Sequence, residues 1–135
     1  ACPAAGIATL MQRIEKVKDF VNPNVVKVAK GDNNKALYFS RAPIPFPRDE
    51  YQSDMTTLPS GDYFRHIGLY AYRVATLKAI TELPEHPLEA LEKLEQLRPL
   101  AHGIGIVVDE AREEPEHGID TLEDLERVRS KISNL

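Results

Sequence analysis

The sequence predicts a mixed α/β fold, with an antiparallel platform in the first half and an α/β arrangement at the end. Two β-prone runs joined by a turn-forming segment indicate a hairpin within residues 25–41. A strand with a two-residue period follows at 65–73. Two helical patterns, a continuous apolar run and a last helix then complete the chain, which is the order expected for a sheet covered by helices.

The elements of the first half are predicted from apolar spacing and turn residues. Residues 7–11 are a short apolar run typical of a buried strand, and residues 13–20 have the spacing of a short helix that ends at an Asn-Pro-Asn turn. Residues 25–29 and 36–41 form the two strands of the hairpin. Residues 43–62 begin with prolines at alternate positions and continue without periodicity, which predicts a rigid extended path and then a mobile loop.

The strand at 65–73 has two chemically distinct faces. Aliphatic side chains occupy one face, and the other carries a glycine and rings with polar ends: Ile67, Leu69 and Ala71 against His66, Gly68, Tyr70 and Tyr72. Apolar rings with hydrogen-bonding ends suit a floor on which a polyhydroxylated ligand lies. An ordinary amphipathic strand with surface His and Tyr is the alternative explanation of this pattern.

The second half is predicted as helix, helix, strand, helix. Residues 74–82 form the first helix, and residues 87–97 form the second, with proline at its first position. The apolar stripe of this second helix is predicted to consist of Leu88, Leu91 and Leu94. Residues 104–108 form a strand buried on both faces, and Thr121 caps a last helix that follows an acidic loop at 109–116.

Length and composition describe one folded domain. The chain has 135 residues, of which 42% are hydrophobic and 28% charged, enough for a core that buries about two-thirds of the surface of the unfolded chain. The net charge of −4 and the dispersed basic residues argue against nucleic-acid binding, and no apolar run approaches the roughly 20 residues of a membrane span. Cys2 is the only cysteine, so we expect a reducing, cytoplasmic environment.

The first residues suggest a chain cut from a longer one. Residues 1–6 contain neither an initiator methionine nor a signal-peptide pattern, and they run directly into an apolar segment. We therefore expect a longer parent protein, and a short complete protein with a processed methionine is the alternative.

The sequence contains none of the common catalytic signatures. It has no Gly-x-Ser-x-Gly turn, no zinc-binding spacing and no Gly-rich phosphate loop. Binding chemistry remains: arginines, tyrosines, a histidine and acids. Asp120 precedes the last helix, where a carboxylate either caps the helix or serves as one Mg²⁺ ligand beside substrate phosphates. We assign no catalytic residue.

Six segments carry a resemblance to a known family. They are Asn-Pro-Asn-Val-Val-Lys-Val at 22–28, Ala-Leu-Tyr-Phe-Ser-Arg-Ala-Pro-Ile-Pro at 36–45, Arg-His-Ile-Gly-Leu-Tyr-Ala-Tyr-Arg at 65–73, Pro-Leu-Glu at 87–89, Leu-Glu-Gln-Leu-Arg at 94–98 and Gly-Ile-Asp-Thr-Leu-Glu-Asp-Leu-Glu-Arg-Val-Arg at 118–129. In this order they closely resemble the C-terminal half of the 3-deoxy-manno-octulosonate (Kdo) cytidylyltransferases, the CMP-Kdo synthetases of lipopolysaccharide synthesis.

The resemblance implies part of a nucleotide-diphospho-sugar-transferase-like (Rossmann-like) fold, without its N-terminal nucleotide-binding half. Residues 1–135 would be the C-terminal portion, with about 20–85 as a sugar-acid and dimerisation platform and about 86–135 returning to the α/β core. The implied reaction converts CTP and Kdo to CMP-Kdo and pyrophosphate with Mg²⁺, in a homodimer. The phosphate loop, the cytidine pocket and the first metal-binding aspartate of the family are not in this sequence, so we expect the 135-residue chain alone to be inactive.

The resemblance also implies the site residues. By match of motif, the Kdo pocket would comprise Arg41, His66, Tyr70, Glu95, Gln96 and Arg48, and Asp120 would be a Mg²⁺ ligand. An arginine suits the Kdo carboxylate and the other groups suit its hydroxyls. The sequence departs from the family pattern at 101–105, where an aromatic and a polar residue are missing. A non-catalytic dimerisation module, or activation of another 2-keto sugar acid such as sialic acid, is the alternative function.

Overall fold

The computed structural model describes residues 5–52, 54–113 and 122–132, so the predicted helix cap Thr121 and residues 114–116 of the predicted acidic loop lie outside the described residues. The strands are β1 (Ile7–Arg13), β2 (Lys27–Lys30), β3 (Ala36–Ser40), β4 (Phe64–Tyr72) and β5 (Ile106–Glu110). The helices are α1 (Val17–Val21), α2 (Val74–Thr81), α3 (Pro87–Glu92), α4 (Leu97–Ala101) and α5 (Leu122–Ile132), with a 3₁₀ turn at Asp32–Asn34.

The strands form one mixed sheet, in the order β3-β2-β4-β1-β5. The pairs β2–β3, β2–β4 and β1–β4 are antiparallel, and β5 joins β1 in parallel. The predicted antiparallel platform with an α/β end is therefore confirmed. The second half of the chain supplies β5 and the helices α2 to α5.

The hairpin β2–β3 is confirmed, with a turn that depends on asparagine. Asn33 and Asn34 have φ angles of 57° and 58°, in the left-handed region that asparagine tolerates better than most residues. Lys30 pairs with Ala36 across this turn. Between β3 and β4, the described residues form turns and bends without a helix or strand, as predicted for 43–62.

Strand β4 contains a bulge where it pairs with β1. Thr9 pairs with Tyr70, but the next residue, Leu10, pairs with Ile67, so β4 has two extra residues at this point. The bulge interrupts the two-residue alternation on which the prediction of two continuous faces was based. The more buried side of β4 is its ring-bearing side, whereas the aliphatic Leu69 is 64% exposed.

The helix predicted at 13–20 is shorter than expected. Arg13 belongs to β1, where it pairs with Phe64, and the helix α1 spans only Val17–Val21. Phe20 of α1 is fully buried against Tyr63, with ring centroids 4.5 Å apart. Pairing with β4 therefore overrides the helical spacing of the first residues in this segment.

The single helix predicted at 87–97 is wrong, because the chain breaks at Lys93. Lys93 has a left-handed conformation with φ of 54°, and its N–H donates to the carbonyl of Glu89 at the end of α3. A second short helix, α4, starts at Leu97. The break also divides the predicted apolar stripe: Leu94 is buried in the core, whereas Leu91 is 80% exposed.

The predicted buried strand at 104–108 begins two residues later, at Ile106, and lies at the sheet edge. Ile106 and Val108 are buried, and Val107 between them is half-buried, so the strand is not buried on both faces.

No helix within the described residues is long and apolar enough to cross a membrane.

The core lies between the sheet and the segment formed by α3 and α4. Its buried side chains come from all five strands and from the two residues that flank α4's start: Ile7, Met11, Val28, Ala36, Phe39, Phe64, Leu94, Leu97, Ile106 and Val108. This packing holds the α3–α4 segment over the ring-bearing side of β4. A smaller cluster of Ile14, Phe20 and Tyr63 anchors the long connection before β4.

Candidate functional site

A cleft of about 390 Å³ lies between β4 and the α3–α4 segment. We call it the β4 cleft. Its lining is contributed by both elements, by the start of β1, by α2 and by the residue before β2: Ile7, Val26, His66, Gly68, Tyr70, Tyr72, Ile80, Leu94, Glu95, Gln96, Arg98 and Pro99. The aliphatic members form walls, and rings, carboxylate, amide and guanidinium groups supply the polar contacts, which is the usual composition of a small-molecule site.

His66 lies on the floor of the β4 cleft and is held from three directions. Its Nε2 is 3.0 Å from the hydroxyl of Thr9. Its ring meets Phe39 edge-on, with 5.0 Å between centroids, and lies 5.3 Å from the ring of Tyr70. Burial lowers the pKa of His66 to about 4, so the imidazole is neutral at physiological pH and has one donor and one acceptor nitrogen.

Tyr70 and Tyr72 continue the floor as a stacked pair, with ring centroids 5.7 Å apart. Burial, with smaller contributions from Tyr72 and Glu95, raises the pKa of Tyr70 well above its usual value. Burial and then Glu95 also raise the pKa of Tyr72. Both phenols therefore keep their protons and can donate hydrogen bonds to a ligand.

Glu95 and Gln96 reach the β4 cleft because of the break between α3 and α4. The left-handed Lys93 turns the chain, Leu94 anchors it in the core, and the two polar residues then face β4. Among the described residues, neither side chain has a hydrogen-bond partner, so the carboxylate and the amide are available to a ligand. The same holds for the hydroxyl of Tyr70.

Arg98 supplies the cation of the β4 cleft. Its Nε and one terminal nitrogen donate to the two carboxylate oxygens of Glu89 at 2.7 and 2.6 Å. This bidentate pair lowers the pKa of the buried Glu89, mainly through the hydrogen bonds from Arg98. The pair fixes the guanidinium plane, and the donors that do not point at Glu89 remain for other acceptors.

The structure brings four of the six predicted Kdo residues together and leaves two elsewhere. His66, Tyr70, Glu95 and Gln96 line the β4 cleft, and Arg41 and Arg48 do not. Arg48 is exposed and lies in a separate, shallower depression beside its neighbour Asp49. The roles predicted for the two arginines remain predictions.

Arg41 has a clear structural role. Its guanidinium donates to the carbonyls of Glu92, Pro23 and Lys93 at 2.7, 3.0 and 3.3 Å. Its backbone N–H donates to the Glu92 carboxylate, as does the hydroxyl of Ser40. Arg41 therefore ties the end of β3 to the loop before β2 and to the break that presents Glu95 and Gln96.

Sequence reasoning missed two polar residues of this region. Thr9 is an unremarkable position in an apolar strand, and the pairing of β1 with β4 brings its hydroxyl to His66. Arg98 lies within the segment 94–98 that carried the resemblance, but its place in the cleft depends on the α3–α4 break. A Glu and an Arg nine positions apart, at 89 and 98, were the one available signal of their pairing.

The predicted metal ligand Asp120 lies outside the described residues, so its environment is not tested. Within residues 5–52, 54–113 and 122–132, no group of three or more His, Cys, Asp or Glu side chains is arranged to hold a metal ion. The β4 cleft is therefore a set of hydrogen-bonding groups and one paired cation, suited to binding and orienting a polar, anionic ligand.

The fold is a mixed α/β sheet with a polar cleft beside its central strand, and comparison with known proteins specifies the family. The family model described as cytidylyltransferase matches residues 3–113. The chain belongs to the cytidylyltransferase family.

Within this family, the chain is similar to curated proteins named 3-deoxy-manno-octulosonate cytidylyltransferase. The protein from Hahella chejuensis is 50% identical over 112 residues, 82% of this chain and 44% of the relative. The protein from Alcanivorax borkumensis is 48% identical over 113 residues, 84% of this chain and 45% of the relative. The chain thus spans less than half the length of these relatives.

A solved structure matches almost the whole chain. It is described as CMP:2-keto-3-deoxy-manno-octonic acid synthetase complexed with CTP, and it superposes with a TM-score of 0.84 at 38% identity. The match covers 98% of this chain and 51% of the solved chain. The predicted nucleotidyltransferase-like fold is therefore confirmed.

Proposed function

We propose that this chain provides the sugar-acid-binding half of a CTP-dependent cytidylyltransferase that converts CTP and Kdo to CMP-Kdo and pyrophosphate. The observation that carries the proposal is the convergence of His66, Tyr70, Glu95 and Gln96 on one cleft. They were selected by resemblance from two separate sequence segments, 65–73 and 94–98, and the fold brings them together. The relatives' names, which state Kdo cytidylyltransferase, support the same substrate.

The groups of the β4 cleft match the chemistry of Kdo. A sugar acid presents several hydroxyls and one carboxylate, and the cleft offers phenol and guanidinium donors beside carboxylate, amide and imidazole acceptors. In transfer of a nucleotidyl group, the sugar hydroxyl attacks the α-phosphate, so that catalysis depends mainly on positioning and charge neutralisation. We assign the residues of the cleft to positioning the sugar.

Magnesium and the nucleotide belong to the proposal through the resemblance. Mg²⁺ would neutralise phosphate charge, with Asp120 as one ligand. We propose that the chain alone turns over no substrate, because the phosphate loop, the cytidine pocket and the first metal-binding aspartate that the resemblance implies are not in this sequence. A homodimer and a cytoplasmic location are also proposed. A second copy as partner is supported by exposed apolar side chains on β4 and α2, namely Leu69, Val74 and Leu77. Sedimentation equilibrium at micromolar concentration tests the dimer, and a monomeric mass would refute it.

The first experiment compares ligands by calorimetry. Kdo and N-acetylneuraminate are titrated separately into the 135-residue chain and into a His66→Gln variant. We expect Kdo to bind, N-acetylneuraminate to bind at least about tenfold more weakly, and the variant to lose about tenfold in affinity for Kdo. Tighter binding of N-acetylneuraminate would show that the substrate is the other 2-keto sugar acid.

A second experiment tests the reaction. The N-terminal half of the Hahella chejuensis relative is joined to this chain, and CTP-dependent release of pyrophosphate is measured with Kdo and Mg²⁺. We expect release by the joined protein and none by the 135-residue chain. A joined protein that folds, binds Kdo and still releases no pyrophosphate would support the non-catalytic alternative.

A further inference from the structure

Thr9 is a buried polar residue of the interior strand β1, with only 3% of its surface exposed. Its hydroxyl oxygen has three polar neighbours at hydrogen-bonding distance. They are Nε2 of His66 at 3.0 Å, the carbonyl oxygen of Ile67 at 3.0 Å and the carbonyl oxygen of Leu69 at 2.8 Å. Two of the three are carbonyls, which only accept hydrogen bonds.

The β4 bulge produces this arrangement. Two extra residues, Gly68 and Leu69, lie between the partners of Thr9 and Leu10. The bulge displaces the carbonyls of Ile67 and Leu69 from regular strand pairing and turns them towards the Thr9 hydroxyl. The Thr9 hydroxyl is therefore the donor that reaches the carbonyl oxygens of Ile67 and Leu69 at the bulge.

Counting protons fixes the role of each group. The Thr9 hydroxyl has one proton, which serves the carbonyl of Leu69, the carbonyl of Ile67 or both. The hydroxyl oxygen then remains as an acceptor, and its third neighbour, Nε2 of His66, must supply the proton. The opposite arrangement, with the hydroxyl donating to Nε2, would place its oxygen 2.8 and 3.0 Å from two carbonyl oxygens with no proton between any of them.

We propose that Thr9 is a positioning residue that holds His66 as the Nε2–H tautomer, so that Nδ1 presents a lone pair to the β4 cleft. Nδ1 of His66 has no hydrogen-bond partner among the described residues. A group that meets it must therefore be a donor, such as a sugar hydroxyl, and not a carboxylate.

This assignment orients a sugar acid in the β4 cleft, a consequence that rests on the proposed function. His66 Nδ1 and the carboxylate of Glu95 accept from ligand hydroxyls. The Tyr70 hydroxyl and the free donors of Arg98 suit the ligand carboxylate. The ligand carboxylate then lies away from His66, and Nδ1 of His66 accepts a hydrogen bond from one hydroxyl of the sugar.

The test is the tautomeric state of His66 in the ¹⁵N-labelled full chain at pH 7.5. Long-range ¹H–¹⁵N spectra separate a protonated ring nitrogen from one with a lone pair, and the His66→Gln variant identifies the His66 signals among those of the four histidines. We expect a protonated Nε2 and an unprotonated Nδ1. In Thr9→Val, which keeps the side-chain shape and lacks the hydroxyl, we expect a mixture of tautomers, whereas Thr9→Ser should retain the wild-type spectrum.

The same variants are then titrated with Kdo. We expect Thr9→Val to weaken binding about five- to tenfold and Thr9→Ser to bind as the wild type does. A protonated Nδ1 in the wild type would overturn the proposal, and so would an unchanged tautomer in Thr9→Val. If Thr9→Val does not fold, the wild-type and Thr9→Ser spectra still decide the tautomer. If the tautomer is as expected but Kdo does not bind to the wild type, the proposed function fails and the role of Thr9 stands.

Discussion

His66 combines burial with a ligand-facing position, and its neutrality has a measurable consequence. Because its folded pKa is about 4, compared with 6.5 when unfolded, the unfolded chain binds more protons between these two pH values. The free energy of unfolding therefore decreases as the pH falls from 6.5 towards 4, by about 2 to 3 kcal/mol from this group. Tyr70, Tyr72, Glu95 and Arg98 are the other titratable groups that line the cleft.

Urea denaturation of the wild type and His66→Gln at pH 7 and pH 4.5 checks this prediction. The wild type should lose about 2 kcal/mol more than the variant between the two pH values. Carboxylates such as Glu89, whose pKa is also lowered, contribute to both proteins and cancel in the comparison. Equal losses in both proteins would mean that His66 is not desolvated in the folded state.

Gly68 offers a way to fill the β4 cleft without disturbing the fold. It lines the cleft, and a Cβ at this position would meet no atom within 4 Å. Gly68→Val should therefore weaken Kdo binding at least about tenfold while leaving the unfolding midpoint close to that of the wild type. Calorimetry and urea denaturation measure the two effects.

Gly105→Val is the matched control for this variant. Gly105 also has open space at its Cβ, but it lies before β5 and does not line the cleft. It should keep the wild-type affinity. If both valine variants bind Kdo as the wild type does, the ligand does not occupy the space above Gly68.

Some residues of the site can be selected from the sequence, and others cannot. The faces of β4 are visible in the two-residue alternation, so His66 and Tyr70 could be selected together. Thr9 could not, because its contact with His66, 57 residues away in sequence, depends on the pairing of β1 with β4. Arg41 was expected to bind a ligand, but the structure shows three backbone carbonyls around its guanidinium.

Among the elements, the break between α3 and α4 is the feature on which the site depends most. Lys93 holds a left-handed conformation that costs a residue with a Cβ about 1–2 kcal/mol. Lys93→Gly should therefore raise the free energy of unfolding by about 0.5–1 kcal/mol, since the entropy cost of glycine offsets part of the relief. Urea denaturation measures the change.

Lys93→Ala is the control, because alanine removes the charge and keeps the Cβ. It should be no more stable than the wild type. A glycine variant that is no more stable than the alanine variant would show that the backbone at this position is not left-handed in solution.

The elements differ in how far local sequence determines them. The hairpin β2–β3 was predictable because turn-forming asparagines separate two β-prone runs. The helix boundaries at 13–20 and 87–97 were not, because pairing of Arg13 with Phe64 and the left-handed Lys93 are imposed by tertiary contacts. The break at Lys93 nevertheless decides where the cleft residues Glu95 and Gln96 lie.

For the molecule as a whole, the sheet and the α3–α4 segment form a platform with a polar cleft, to which the proposed enzyme adds a nucleotide-binding part. The chain covers 51% of the solved relative, which is complexed with CTP. The mixed α/β class was predictable from the order of strand and helix patterns. The central claim of the proposal is that this chain binds the sugar acid, while the rest of the enzyme binds the nucleotide.

Mapping Kdo onto the chain by NMR tests this claim most directly. The ¹⁵N- and ¹³C-labelled 135-residue chain is titrated with Kdo, and shifts of side-chain and backbone signals are followed at the β4 cleft and at the depression beside Arg48. We predict saturable shifts at His66, Tyr70 and Gln96, and none of comparable size around Arg48. Saturable shifts centred on Arg48, or a folded chain with no shifts at the β4 cleft, would contradict the account.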